Sequence, residues 1–161
     1  MRLEVRDHRA DPGGWARELG VSEEACALLL DSDFIDLHCD LEVPVRVWGY
    51  DPTVRHDPWR KPPPFMGHTD YPRLLEAGFS GVVCDIATNV FRRAARRQEV
   101  TLQNLERLKC RVESFPEELA LVRDRTEYDQ ARAEGKMAMW VALQGGNALT
   151  DDPSVLDGSV G

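Results

Sequence analysis

His38 and Asp40 close an apolar run, Phe34-Ile35-Asp36-Leu37-His38-Cys39-Asp40. Side chains alternate between the faces of a β-strand, so His38 and Asp40 point the same way and Cys39 points away. An imidazole and a carboxylate so placed can hold one metal ion between them. A zinc ion takes three or four such ligands, so the pair is the beginning of a site. Taken alone, it serves equally as a hydrogen-bonded pair at a strand end, or Asp40 as the cap of the next turn. Gly145-Gly146 allows a tight turn. It has neither the glycine spacing of a dinucleotide loop nor the lysine of a phosphate loop. No serine nucleophile elbow is present, and Cys39 has no evident activating base. His8, His56 and His68 have no partner at ligand spacing, and His56 and His68, on or beside the proline-rich loop, read as surface or loop-packing groups.

The elements that must carry these residues follow from periodicity and caps. Asp11-Pro12 before Trp15–Leu19, then Gly20, predicts a short helix with a glycine stop. Ser22 caps a second, with Glu23 and Glu24 at the positive end of its dipole and Ala25, Leu28 and Leu29 buried. The Phe34–Asp40 strand comes next. From Val43 to Phe65 six prolines alternate with Trp48, Tyr50, Trp59 and Phe65, which predicts a long, stiff, packed loop without helix. Thr69 or Asp70 caps a helix that ends at Gly78, and Gly81–Ile86 is a second buried strand. A helix over Arg96–Ser114, a strand over Leu119–Val122, a short helix with a Thr126/Asp129 capping box, and a strand over Met137–Leu143 follow. Strand alternating with helix four times predicts an α/β fold with a parallel sheet, either doubly wound or closed as a (β/α) barrel. Both architectures collect ligands at the C-terminal ends of strands, where His38, Asp40, Asp85 and Gln144 all fall.

Composition narrows the classes. The chain has 161 residues, 42% of them hydrophobic, enough for one domain with a real core. Its net charge of −8 disfavours nucleic acid or an anionic membrane as partner. No apolar run reaches membrane-spanning length, and Met1–Gly14 lacks the apolar core of a signal peptide. Cys26, Cys39, Cys84 and Cys110 are widely spaced, so a reducing cytoplasm and buried thiols are expected.

Three motifs occur in order: Asp36-Leu37-His38-Cys39-Asp40-Leu41-Glu42-Val43-Pro44; Gly67-His68-Thr69-Asp70-Tyr71-Pro72-Arg73-Leu74; and Gly135-Lys136, an apolar strand, then Leu143-Gln144-Gly145-Gly146-Asn147-Ala148-Leu149. Over Phe34 to Leu156 this pattern resembles the membrane (renal) dipeptidase family, whose motifs read Asp-Gly-His-Asn-Asp-Leu-Pro, Asp-Leu-Pro-Arg-Leu and Glu-Gly-Gly. The resemblance implies a TIM-type barrel with a two-zinc centre that hydrolyses small dipeptides. It implies His38 and Asp40 as two ligands of one zinc. Gln144 falls where the family places the glutamate that bridges both metals, and Asn147 where many relatives carry a histidine. A carboxylate offers two anionic oxygens to two cations, whereas an amide offers one neutral oxygen. Asp85 is an accessory candidate for the missing carboxylate. The family's remaining zinc histidines lie on strands beyond the third motif, so the chain is expected to be the N-terminal half of a longer protein, inactive alone. A helical segment over 1–33 would precede a half-barrel over 34–161. A barrel that has lost its binuclear centre, or a single-metal amide or ester hydrolase, are the alternatives. The expected partner is a dipeptide-like substrate, with a homodimer left open.

Overall fold

The structure, a computed structural model, describes residues 1–57, 69–87, 89 and 91–149. Trp59, Phe65, His68 and the start of the second motif lie outside the described residues, as does Leu156. The elements are α1 (Pro12–Leu19), α2 (Glu23–Asp31), β1 (Ile35–Cys39), α3 (Glu42–Trp48), α4 (Tyr71–Glu76), β2 (Gly81–Ala87), α5 (Ala94–Glu113), β3 (Leu119–Leu121), α6 (Arg125–Ala133) and β4 (Met137–Gln144).

Asp11 caps α1 by accepting from the Gly14 N–H, and Gly20 ends it at φ +69°, a conformation that favours glycine. Ser22 caps α2 as expected. The buried face of α2 differs from the expectation: Cys26 and Leu30 go inside with Trp15 and Ala16, while Ala25 and Leu28 are exposed. Only one side of this short helix meets α1, and Leu28 falls on the other.

The expected helix-free loop from Val43 is corrected by α3. Pro44 is the third residue of that helix, inside the first turn, where the missing N–H would have had no intrahelical acceptor. Gly49, at φ +67°, then closes α3. The cap of α6 is also corrected: Asp124, in extended conformation, accepts from the Glu127 N–H, which puts Thr126 inside the helix.

All four strands are parallel, in the order β1-β2-β4-β3. One face of the sheet, with Val82, Cys84, Ile86 and Met139, packs under Leu108, Val112 and Phe115 of α5 and its exit, and under Tyr71 and Leu74 of α4. The chain passes outward from β2 to β3 through α5, then steps back from β3 to β4 through α6. Right-handed crossovers run in opposite directions place their helices on opposite faces. Tyr128 of α6 accordingly stacks on Trp140 at 5.3 Å between ring centres, on the face that carries Val83 and Asp85. The Tyr128 hydroxyl donates to Asp33 at 2.7 Å and ties this layer to the end of α2.

Gly81 sits beneath that indole. A Cβ there would stand 2.6 Å from Trp140 Cζ3, closer than any carbon contact allows. Gly81→Ala is therefore expected to destabilise the fold by about 1–3 kcal/mol, the usual cost of overpacking. Urea titration measures it, and Gly81→Ala with Trp140→Leu should recover part of the loss.

Candidate metal-ligand cluster at the strand ends

Each site residue reaches the same rim by its place in the sheet. β1 pairs with β2 at Asp36↔Val82 and Cys39↔Cys84, so β1 carries one extra residue between those pairs. Such a bulge re-aims side chains next to a site. The Asp36 carboxylate accepts from the His38 N–H at 3.0 Å and holds the bulged backbone. Cys39 turns into the core, and His38 and Asp40 share the opposite face, as alternation predicts. Nε2 of His38 lies 3.4 Å from Asp40 Oδ2, and its Nδ1 lies 2.9 Å from Asp85 Oδ2.

Asp85 is thus the third member of the cluster. Its side chain is 7% exposed, whereas that of His38 is 55% exposed. Burial pushes the Asp85 carboxyl up; His38 opposes this and the nearby Asp40 adds to it. Asp40 Oδ1 and Asp85 Oδ2 are both buried without a hydrogen-bond partner, since the short approach from His38 is not aligned as a hydrogen bond. Two orphaned carboxylate oxygens beside an imidazole are donors suited to a cation. Among the described residues, however, no three His, Cys, Asp or Glu side chains are arranged as one metal-binding group.

Gln144 ends β4. The register Asp85↔Ala142 and Ala87↔Gln144 puts it on the Asp85 face, one alternation further toward the rim, and it is exposed. Asn147 lies in a short 3-10 turn (Gly146–Ala148) beyond it and is also exposed. Neither has a contact with the His38 cluster among the described hydrogen bonds.

Two supports escaped the reading of spacing. Glu42, 2% exposed, forms an ion pair with Arg111 of α5 and so clamps the turn that follows Asp40. Burial pushes its carboxyl up even with that partner. Asp70 is fully buried at the start of α4, where it accepts from the His56 N–H at 2.9 Å and from Arg73 Nε at 2.7 Å. Tyr50 stacks on His56 at 4.2 Å. Asp70 and Arg73 of the second motif therefore fasten the segment that leaves α3. The Asp70 cap itself was visible in the sequence; its long-range partners were not.

A cavity of about 540 Å³ opens between the N-terminal segment, α2, α4 and α6, next to Ser80 and Met137 at the starts of β2 and β4. It lies at the opposite end of the sheet from the ligand cluster. Its cations are already matched, Arg9 to the Leu30 carbonyl, Arg132 to Asp33 and Lys136 to Glu134. The candidate metal ligands lie at the strand-end rim instead.

A parallel α/β sheet with an imidazole and two carboxylates at its C-terminal rim fits the α/β proteins that collect ligands at strand ends, doubly wound or barrel. The chain belongs to the membrane dipeptidase family (peptidase family M19), whose model matches residues 22–159. Similar solved structures include the dipeptidase AC, a metallopeptidase, at 21% identity and TM-score 0.63, with 78% of this chain and 38% of that one covered. A Rhodobacter sphaeroides metallopeptidase, liganded with a phosphinate mimic of the dipeptide L-Ala-D-Ala, matches at 21% identity and TM-score 0.62, covering 78% and 41%. The probable dipeptidase PvdM from Pseudomonas aeruginosa matches at 17% identity and TM-score 0.65, covering 84% and 34%. The chain thus spans about two fifths or less of the length of these proteins, and its fold is part of their TIM-type barrel. No curated protein matches. Among the described residues no helix is long and apolar enough to cross a membrane.

Proposed function

We propose that this chain forms the first part of a metal-dependent hydrolase of the dipeptidase type, cytoplasmic, acting on small dipeptides. One observation carries the reading: the imidazole of His38 lies between the carboxylates of Asp40 and Asp85 at the strand-end rim, and Asp40 Oδ1 and Asp85 Oδ2 are buried without a hydrogen-bond partner. His38 and Asp40 would hold a zinc ion, with Asp85 as the accessory carboxylate. When bound, zinc supplies Lewis acidity and an activated water.

The chain's own residues do the rest. The bulge in β1 holds His38 and Asp40 on one side, and the Glu42–Arg111 pair fixes the turn beneath Asp40. Gln144 can donate or accept a hydrogen bond at the rim but brings no negative charge. That amide favours a second reading, a barrel that binds a small molecule after losing its two-metal centre.

Metal content separates the two. The full chain reconstituted with zinc should retain about one ion through gel filtration, and His38→Ala should lose it. A wild-type content well below one ion per chain would sink the hydrolase reading.

A further inference from the structure

Cys39 and Cys84 are direct partners across β1 and β2. Both side chains point into the core face, 5% and 0% exposed, and both thiols are free. Each is joined to the rim cluster on the reverse face: Cys39 lies between His38 and Asp40, and Cys84 precedes Asp85. Paired strands run about 4.8 Å apart. That spacing falls within the Cα separation of about 4.4–6.8 Å that a disulfide spans.

We propose that Cys39 and Cys84 are a dithiol–disulfide pair, oxidised by a small disulfide such as oxidised glutathione, whose closure re-sets the His38–Asp40–Asp85 cluster on the other face of the sheet. Side chains of directly paired parallel residues project side by side, so closing the bond requires β1 to shift against β2. A bond formed against such a shift is the labile, reversible kind. Because alternation ties each cysteine to rim residues one position away, the shift changes the distance between His38 and Asp85.

The steps balance. The Cys39 thiolate attacks one sulfur of oxidised glutathione, breaks its S–S bond and releases one glutathione thiolate. The Cys84 thiolate then attacks the Cys39 sulfur of the mixed disulfide and releases the second. The two protons lost by the cysteines end on the two glutathione thiols. Cys39 reacts first, because β1 is paired on one side only, to β2, among the described strands. Cys39 is 5% exposed, so the reaction proceeds through opening of that edge and is slow in the resting fold.

The test uses the full chain carrying Cys110→Ser, which removes the exposed thiol. After incubation with oxidised glutathione in sub-denaturing urea, removal of urea and alkylation, peptide mapping should find Cys39 linked to Cys84. Two of the three remaining thiols should be lost, and dithiothreitol should restore them. The ring-nitrogen resonances of His38, assigned by their absence in His38→Gln, should move on oxidation and return on reduction. In Cys84→Ala neither the link nor the movement should occur. Cysteines that remain alkylatable, or a link that leaves the His38 resonances in place, overturn the proposal. Neither readout requires a bound metal, so failure to bind zinc would sink the proposed function and leave this inference standing.

Discussion

Arg111→Met should lower the stability of the fold by about 3–5 kcal/mol, the usual cost of leaving one partner of a buried ion pair unpaired. Glu42 is 2% exposed and its described ion pair is with Arg111, so the substitution strands a carboxylate inside the core. The loss should depend on pH. Burial raises the folded-state carboxyl of Glu42 above its unfolded value near 4.5. For an acid shifted upward, the folded state holds the extra proton between the two values, so stability falls as pH rises through that window and levels off above it. Without Arg111 the folded value rises further and the window widens. Denaturant titrations of wild type and Arg111→Met at pH 5 and pH 8 should show the larger difference at pH 8. Glu42→Leu combined with Arg111→Met should regain most of the loss, since a well-packed apolar pair can equal a buried ion pair. Equal losses at both pH values would refute a stranded carboxylate as the cause.

Gln144→Glu should strengthen divalent-metal binding by at least about tenfold, equivalent to ~1.4 kcal/mol. The substitution keeps the size of the side chain and adds a charge on the face of Asp85, at the end of β4. It returns to the rim the anionic group that can hold two cations at once. Calorimetric titration of the full chain with zinc reads the effect, and a second binding event in the variant would mark the restored bridge. If one metal at His38 and Asp40 suffices, the first binding event should be unchanged. A variant that binds no better than wild type would show that position 144 does not face the metal.

Local patterns in the chain carry the caps and the alternation. Asp11, Ser22 and Asp70 announce their helices because each accepts a hydrogen bond within three residues. His38 and Asp40 share a face because strand geometry has a period of two, which no distant residue alters. Where a short-range rule met a longer constraint it failed. Proline density hid α3, because Pro44 falls in the one turn that tolerates it. Leu28 reads as core by its chemistry and is exposed because only one flank of α2 is covered.

By itself, then, the sequence determined the four strands and every helix between them but α3, the His38-x-Asp40 pair, and the amide at Gln144. Tertiary structure decided what those residues meet. The contact of Asp85 with His38, the pairing of Cys39 with Cys84, the Glu42–Arg111 clamp and the passage of α6 across the face that carries Val83 and Asp85 all depend on which strands become neighbours and in what register. Register and order arise from packing between segments tens of residues apart. Spacing along the chain encodes neither.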